Sequence, residues 1–313
     1  MKVYEYHLKT RISRTKEFEK KHLAEYAVNI GLKCGHGCTY CSTGVMLRTH
    51  KAFKKLGVSP FENDYAIIDP DTPVRVAQDA CRKRQRGLVQ LCTTVDAWSP
   101  EAQQYQLGRR CLEAILSQPG WTVRVLTKNA AIKNNFDVIE RYKDRVLVGL
   151  SITAPPVRND AISVIEPNAS PIQERIQVLQ QAHALGLRTY GMLCPMLPGI
   201  ADSPDAIDEL VNIAVECGAG EIFAEAVNPR GRGLILTQKA LESNGFCKEA
   251  ASIDSVRNRS NWSRYVTGLI RNVQQSVRKL SNINKLRFLL YPNGLTSEDL
   301  AQIKQDDEGV IWL

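Results

Sequence analysis

The stretch KCGHGCTYC, residues 33–41, places three cysteines within eight positions. Cys34, Cys38 and Cys41 follow a C-x3-C-x2-C spacing, which is too short for a disulfide framework. Closely spaced thiolates on a glycine-containing loop are typical ligands of iron–sulfur clusters. Electron-transfer clusters usually have four cysteine ligands, and structural zinc sites are closed. Because three thiolates leave one iron free, the stretch predicts a [4Fe–4S] cluster with an open coordination position.

Zinc is the alternative metal for these thiols. His36 lies between the first two cysteines and could supply a nitrogen ligand. One of the chain's other cysteines could instead supply a fourth sulfur ligand. No second C-x2-C or H-x3-H pair is present to complete a zinc pattern. The spacing therefore favours the iron–sulfur cluster over zinc and over a chance grouping of thiols.

Short apolar runs alternate with longer helical patterns from Tyr26 onward, as in a parallel sheet with crossover helices. The predicted strands are residues 27–32, 88–93, 122–127, 146–153, 188–194 and 221–227. The predicted helices are residues 105–117, 131–142, 171–185 and 204–217, with Asn129 and Ser170 as N-caps and Gly186 and Gly218 beyond two C-termini. This order predicts an α/β fold with a partial, open (β/α)6 barrel. A doubly wound sheet would show the same alternation, and the cysteine motif favours the barrel.

The chain divides into three expected segments. Residues 1–25 form an N-terminal extension, residues 26–230 the partial barrel, and residues 231–313 a C-terminal extension that is a candidate for substrate binding. The C-terminal extension contains a basic amphipathic stretch at 262–280. It also contains an apolar run at 286–291 that predicts a further strand.

A formal charge of +8 and a pI near 9.0 favour polyanionic partners. The basic runs are residues 9–21, 82–86 and 257–285, although each could be an ordinary solvated helix face. In the last run, Trp262 and Tyr265 are interleaved with arginines, a pattern that favours nucleic acid. We therefore expect nucleic acid as a partner.

Targeting signals are not readable in the sequence. No apolar stretch reaches eighteen residues, and residues 1–16 carry charges without an apolar core. Nine cysteines in a chain of this kind are expected to be reduced thiols or ligands. These features predict a cytoplasmic protein that does not interact with a membrane.

The cysteine loop, with an aromatic residue before its last cysteine and a strand before it, resembles the radical S-adenosylmethionine superfamily. More narrowly, residues 24–41 are similar to the spore photoproduct lyase-like (DNA repair photolyase-like) branch, in which a GCxHGCxYC pattern is familiar. The resemblance continues through Glu166-Pro167, Arg175, Gly186-Leu187 and the stretch PMLPGIAD at 195–202. It covers roughly residues 24–230.

The resemblance implies two cofactors, a [4Fe–4S] cluster on the three cysteines and S-adenosylmethionine on its free iron. One electron from an external donor such as flavodoxin or ferredoxin would cleave the cofactor to a 5′-deoxyadenosyl radical, which abstracts hydrogen from a substrate. The cofactor carries this chemistry, and the protein positions it.

The resemblance also assigns cofactor contacts to polar residues at the ends of the predicted strands, where ligands of parallel sheets bind. The expected contacts are Thr93 and Thr94 at the amino group, Lys128 or Arg175 at the carboxylate, Ser151 at the ribose and Tyr40 at the adenine. Each could instead be a strand-end cap or a helix-surface charge.

Two further cysteines are candidate catalytic residues. Cys92 lies in a Cys-Thr-Thr-Val-Asp context at the end of the second predicted strand, and it resembles a cysteine of the lyase branch thought to return hydrogen to the product radical. Cys194, at the end of the fifth strand, is the rival for this role. Free cysteines often only fill the core, which is the alternative for both.

The sequence thus predicts a radical S-adenosylmethionine enzyme that acts on a polymer, with nucleic acid ahead of peptide. Both a lyase or repair reaction and a modification reaction fit the pattern. A radical modifier of a partner protein or peptide is the alternative enzyme. A non-catalytic iron–sulfur or zinc protein that binds nucleic acid is the alternative from another class.

Overall fold

The computed structural model describes the whole chain, Met1–Leu313. The strands are β1 (Lys2–Glu5), β2 (Ser13–Arg14), β3 (Tyr26–Val28), β4 (Gly31–Lys33), β5 (Tyr65–Ile68), β6 (Leu88–Leu91), β7 (Thr122–Thr127), β8 (Val146–Leu150), β9 (Arg188–Thr189), β10 (Gly191–Met196), β11 (Ile222–Ala226), β12 (Leu286–Leu290) and β13 (Val310–Trp312). The helices are α1 (Lys16–Lys20), α2 (Thr43–Met46), α3 (Lys51–Leu56), α4 (Thr72–Arg82), α5 (Pro100–Gln104), α6 (Leu107–Leu116), α7 (Phe136–Arg141), α8 (Asn159–Ile165), α9 (Ile172–Ala184), α10 (Pro204–Glu216), α11 (Gly233–Ser243), α12 (Cys247–Ser255), α13 (Arg259–Leu280) and α14 (Ser297–Ile303).

Parallel strands form one curved wall with helices outside it. Strands β3, β6, β7, β8 and β9 pair in this order, and β10 to β13 continue the wall. The two sheets meet where Ser151 bridges Met192 and where the N–H of Ile152 donates to the Met192 carbonyl at 3.0 Å. No pairing joins β13 to β3, so the wall stays open, and the predicted partial barrel is confirmed.

Most of the predicted elements form within one or two residues of their expected bounds. The predicted strand at 122–127 matches β7, and the predicted helix at 204–217 matches α10. Asn129 caps as expected, because its side chain accepts from the N–H of Ala131, but it caps a 3-10 turn before α7. Ser170 does not cap α9, since its hydroxyl accepts instead from the N–H of Ala130 at 2.9 Å.

The first predicted strand, residues 27–32, is divided between two sheets. β3 belongs to the barrel wall, whereas β4 pairs antiparallel with β5, which also pairs with β1. Gly31 allows this departure, because a Cβ there would lie 2.2 Å from the carbonyl oxygen of Ile67. The cysteine loop therefore starts from a small side sheet at the barrel mouth.

The residues beyond 230 extend the wall itself. The predicted strand at 286–291 is observed as β12, parallel to β11, and β13 adds a further parallel strand. The long basic helix α13 packs outside these strands against α10. The C-terminal segment thus contributes strands to the same sheet as the preceding residues.

None of the helices has both the length and the apolar character needed to cross a membrane.

Candidate active site

A cavity of about 470 Å³ opens at the carboxyl ends of the parallel strands. Ten of the eleven candidate residues line it, namely Cys34, Cys38, Tyr40, Cys41, Cys92, Thr93, Thr94, Lys128, Ser151 and Cys194. The strand order explains this convergence, because the residues that follow neighbouring parallel strands meet at one edge of the sheet. The N-terminal and C-terminal segments complete the wall through Lys21 and Tyr291.

The cysteine loop is fixed by residues distant in sequence. The N–H of Gly35 donates to Glu101 Oε1 at 2.9 Å, and the Gly35 carbonyl accepts from Asn168 Nδ2 at 2.9 Å. Asn63 Nδ2 donates to the Cys38 carbonyl at 3.2 Å. Gly37 has a φ of +68°, a left-handed conformation that favours glycine. The loop is therefore held in one conformation by its surroundings.

His36 is buried with an oxygen atom at each ring nitrogen. Nε2 lies 2.8 Å from Asp96 Oδ2, and Nδ1 lies 3.0 Å from the Asn168 carbonyl oxygen. Burial alone would lower the pKa of His36, but the Asp96 carboxylate raises it overall. Because both nitrogens face acceptors, neither offers a lone pair to a metal. The zinc alternative thereby loses its nearest nitrogen ligand.

Asp96 links the cysteine loop to the end of β7. Its carboxylate accepts from the Thr127 hydroxyl at 2.8 Å and from the Lys128 N–H at 2.8 Å, in addition to the His36 contact. Although burial alone would raise the pKa of Asp96, His36 lowers it overall. Asp96 closes the Cys92–Asp96 run quoted for the family resemblance, but sequence reasoning assigned it no role.

Glu166 is the second buried carboxylate at the site. It accepts hydrogen bonds from Tyr40, Arg175 and Thr153, the last at 3.0 Å, and Lys128 Nζ lies 3.6 Å away. Burial alone would raise its pKa, but the Lys128 and Arg175 cations hold it at about 2. Glu166 is therefore an anion that fixes one cavity cation and one cavity phenol.

Arg175 does not lie in the cavity, contrary to the expectation that it could bind a cofactor carboxylate. Its guanidinium donates to Glu166, to the Ser170 carbonyl at 2.7 Å and to the Ser151 carbonyl at 3.0 Å. All three guanidinium nitrogens are engaged by these acceptors, so of the two residues expected at the cofactor carboxylate only Lys128 lines the cavity.

Thr93 and Thr94 are positioned by a residue that the sequence did not single out. Asn29 Oδ1 accepts from the Thr93 N–H at 2.8 Å and the Thr94 N–H at 2.9 Å, and Asn29 Nδ2 donates to the Thr93 hydroxyl at 2.8 Å. Asn29 lies between β3 and β4, where the chain leaves the barrel wall. The turn at the strand end is therefore specified by a contact across 64 residues.

Both candidate catalytic thiols face the cavity. Cys92 follows β6, and Cys194 lies on β10 with its Sγ 3.7 Å from Glu225 Oε2. Burial raises the pKa of both thiols well above the ordinary value, so each keeps its hydrogen at neutral pH. Glu225, together with Lys21 beside it, was not identified from the sequence, because both residues come from segments outside the cysteine motif.

The donor set at the mouth fits an iron–sulfur cluster better than one zinc ion. Sulfur ligands of a single tetrahedral zinc would lie ~3.8 Å apart, given a Zn–S distance of about 2.3 Å. In this structure one group of three side chains has its metal-ligating atoms within 4.8 Å of one another, and it consists of His7, Asp69 and Asp71. The three thiols of the cysteine loop do not form such a group. The thiols are therefore more widely spaced, as suits ligands of three different irons.

The cavity wall also has an unused hydrogen-bond acceptor. Gln90 lines the cavity two residues before Cys92, and its Oε1 atom is buried without a hydrogen-bond partner. Buried polar atoms are nearly always paired in native proteins. A bound molecule with a donor at this position would satisfy Gln90, so the wall fits a polar cofactor or substrate.

Of the aromatic residues in the basic run at 257–285 (the basic tail), Trp262 is buried and Tyr265 is partly buried. Trp262 donates from Nε1 to the Val227 carbonyl at 3.3 Å, and Tyr265 donates to the Met196 carbonyl at 3.0 Å. The two side chains are thus not exposed between the arginines as the sequence pattern suggested, because Tyr265 packs against the core and Trp262 belongs to it while also lining a second cavity.

Acidic groups from other elements neutralise part of the basic tail. Arg278 pairs with Asp306 and Glu308, Lys279 with Asp208, and Arg257 with Asp254. Arg259 donates to the carbonyls of Gly294 and Leu295 at 3.3 and 2.9 Å. The charge of this segment is therefore less available to a polyanion than the sequence suggested.

Three uncharacterised proteins are similar in sequence to this chain. A protein of Acidianus two-tailed virus is 26% identical over 216 residues, which are 67% of this chain and 69% of that protein. A protein of Methanocaldococcus jannaschii is 22% identical over 59% of this chain and 66% of its own length. A protein of Mycobacterium tuberculosis is 24% identical over 66% of this chain and 59% of its own length.

Solved structures of spore photoproduct lyase share the fold. The lyase complexed with dinucleoside spore photoproduct has a TM-score of 0.60 at 15% identity, covering 89% of this chain and 79% of that chain. A mutant lyase with bound S-adenosylmethionine and dinucleoside spore photoproduct has a TM-score of 0.53 at 17% identity. The match covers 77% of this chain and 66% of the lyase chain.

The family model for the radical S-adenosylmethionine superfamily matches residues 28–211, which are more than half of the 313 residues. This range contains the cysteine loop and nearly all of the strand ends that line the cavity. The chain belongs to the radical S-adenosylmethionine superfamily, as an enzyme whose cofactors are a [4Fe–4S] cluster and S-adenosylmethionine.

Proposed function

We propose that this enzyme abstracts a hydrogen atom from a nucleic acid, in a lyase-type repair reaction or in a modification. The observation that carries the proposal is the cavity itself, which brings Cys34, Cys38 and Cys41 together with Lys128 and two neutral thiols. When bound, the cluster and S-adenosylmethionine supply the hydrogen-abstracting 5′-deoxyadenosyl radical. The chain's own residues then hold the cofactor and the substrate in contact.

Nucleic acid is favoured as the substrate class by two observations. The fold matches that of spore photoproduct lyase, whose structures include bound dinucleoside spore photoproduct. The net charge of +8 attracts polyanions in general. A partner protein or peptide is the alternative substrate, and an external electron donor such as flavodoxin or ferredoxin completes the reaction.

Lys128 and Ser151 are the proposed contacts to S-adenosylmethionine, with Tyr40, Thr93 and Thr94 around them. The Lys128 ammonium lies 5.8 Å from the centre of the Tyr40 ring and 3.6 Å from Glu166. It is therefore fixed at the cavity wall as a point charge for a carboxylate. Arg175 acts indirectly, by holding Glu166 and the Ser151 carbonyl.

Cys92 and Cys194 are the proposed hydrogen donors to a product radical. Both thiols are neutral and face the cavity, which this role requires. Cys92 follows directly on β6 and precedes the two threonines proposed at the cofactor. Cys194 is the alternative, because the Glu225 carboxylate accepts its hydrogen bond.

Alanine at Cys34, Cys38 or Cys41 should abolish cluster binding, because each thiolate binds a separate iron. The measurement is iron and sulfide content per chain after anaerobic reconstitution, with the visible absorption spectrum. Cys81→Ala and Cys247→Ala are the matched controls, since both of these cysteines are exposed and lie outside the cavity. Stoichiometric zinc without iron or sulfide in the parent protein would contradict the assignment.

Lys128→Ala and Ser151→Ala should each weaken binding of S-adenosylmethionine by about ten- to a hundred-fold, the usual effect of losing a hydrogen bond to a charged group. Calorimetry on the reconstituted protein measures the affinity. Lys133→Ala is the control, because this lysine is exposed and lies outside the cavity. Unchanged affinity in both cavity variants would overturn this pocket assignment.

Glu166→Gln should lower the free energy of unfolding by about 3 kcal/mol, because two buried cations lose their anionic partner. Since the pKa of Glu166 is held at about 2, below its ordinary 4.5, the carboxylate is ionised at pH 7 and its stabilisation is lost progressively as the pH falls from 4.5 to about 2. Urea unfolding at pH 7 measures the effect. Glu174→Gln, the same change at an exposed position on α9, should be nearly neutral. Equal losses would show that Glu166 has no special role.

The substrate class is tested with reconstituted enzyme, S-adenosylmethionine and a reductant, incubated separately with pools of DNA, RNA and protein. We expect slow 5′-deoxyadenosine release without substrate and faster release with one nucleic-acid pool, measured by mass spectrometry. Stimulation by protein alone would favour the peptide modifier. Failure to release 5′-deoxyadenosine in every pool would support the non-catalytic alternative.

A further inference from the structure

A second cavity, of about 450 Å³, adjoins the active-site cavity. The two share lining residues, among them Glu17, Ser42, Glu225, Asn228 and Tyr291. The volume is within the range of about 300–1,000 Å³ typical of small-molecule sites. A substrate that reaches the first cavity can therefore continue into the second.

The outer part of the second cavity has two unpaired cations. Arg48 follows α2 and Arg230 follows β11, and both side chains are exposed. The Arg48 guanidinium donates to the Val45 carbonyl at 2.8 Å, while Arg230 bonds through its main-chain N–H to Asn228 Oδ1. Neither arginine forms an ion pair, in contrast to Arg278 and Lys279 of the basic tail.

The two segments that carry these arginines are packed together. Gly231 lies so close to Val45 that a Cβ would be 2.3 Å from its Cγ2 atom, and Gly233 lies against the backbone of Tyr40. Arg48 and Arg230 are therefore held beside one opening, directly after the cysteine loop.

The carboxylates of this region are already engaged. Glu17 lies 3.4 Å from Lys21 and accepts from the Tyr291 hydroxyl at 3.2 Å, while Glu225 accepts from Cys194. These groups lie at the junction of the two cavities, whereas the free arginines lie in the second. The two carboxylates that line the second cavity therefore do not pair with Arg48 or Arg230.

The rest of the second cavity's lining is mostly apolar. Met46, which is exposed, lines it together with Asn293 and the largely buried Trp262, Val266, Phe288 and Leu290. An anionic group at the arginines joined to a flat, partly apolar group on this surface matches a nucleotide. A base contacts apolar and aromatic side chains, and its phosphate contacts arginine.

We propose that the second cavity binds the nucleotide next to the reacting one, with Arg48 and Arg230 as contacts to its phosphate. This inference rests on the proposed action on nucleic acid, and it specifies where the strand leaves the active site. The occupant is a single strand, because the neighbouring base must be unpaired to lie on the apolar surface.

Binding of fluorescein-labelled 12-nucleotide single strands of mixed-sequence DNA and RNA tests the site, by anisotropy from 50 to 300 mM KCl. The Arg48→Gln, Arg230→Gln double variant should lose about ten- to a hundred-fold in affinity at low salt. The slope of log affinity against log salt should become shallower by about 0.7, since both arginines contact one phosphate and each neutralised single-strand phosphate contributes about 0.7. The Arg48→Lys, Arg230→Lys variant keeps both charges and should retain the parent slope.

The matched control is Arg141→Gln with Lys143→Gln, which removes two exposed charges just before β8, at the amino ends of the strands and away from both cavities. This variant should bind as the parent does, and equal iron content in all variants confirms that each one folds. An unchanged slope in the Arg48 and Arg230 variant, or an equal loss in the control, overturns the second-cavity site while leaving the proposed function intact. A parent protein that binds neither strand at low salt overturns the proposed function itself.

Discussion

The Glu166 carboxylate is the point on which the geometry of the site depends. It is fully buried, and it binds a phenol from the cysteine loop, a guanidinium from α9 and, at longer range, an ammonium from the end of β7. Desolvating a carboxylate is costly unless cations and donors surround it, so the ion can exist only if these elements are assembled correctly. The same Arg175 that balances Glu166 also fixes the Ser151 carbonyl. Loop, helix and two strand ends are thereby set relative to one another by one buried anion.

The cysteine loop depends on this arrangement because it has little regular structure of its own. Two residues beyond Glu166, Asn168 binds the Gly35 carbonyl with its side chain and accepts from His36 with its main chain. Asp96 holds the other side of the His36 ring. A short loop with two glycines is conformationally costly to order, and these contacts offset that cost. The three thiols are consequently presented by a loop whose shape is determined by the barrel.

The sequence predicted the barrel and the cluster motif because both depend on local patterns. Strand runs such as 122–127 carry their own apolar signal, and C-x3-C-x2-C spacing is visible without any fold. Ten candidate residues reached one cavity because strand order alone brings the ends of parallel strands together. The roles of Asn29, Asp96, Glu166 and Glu225 could not be predicted in this way. Each depends on a partner far along the chain, such as Thr93 for Asn29 or Tyr40 for Glu166.

The positive charge of the chain shows why composition alone did not locate the substrate surface. A run without acidic residues, such as 257–285, gives a high local charge in the sequence, yet Asp208, Asp306 and Glu308 pair with it in the fold. Trp262 in the same run is buried and Tyr265 is partly buried, because an amphipathic helix that covers a sheet turns its aromatic side chains inward. Arg48 and Arg230 lie outside the basic runs of the sequence and form no ion pair in the fold, beside a cavity that adjoins the thiols. Attraction of a polyanion depends on such unpaired charges, since a paired cation presents little net field to a ligand. Arg48 and Arg230 therefore mark the barrel mouth as a surface where an anionic strand would approach, whereas the charge of the basic tail is partly neutralised.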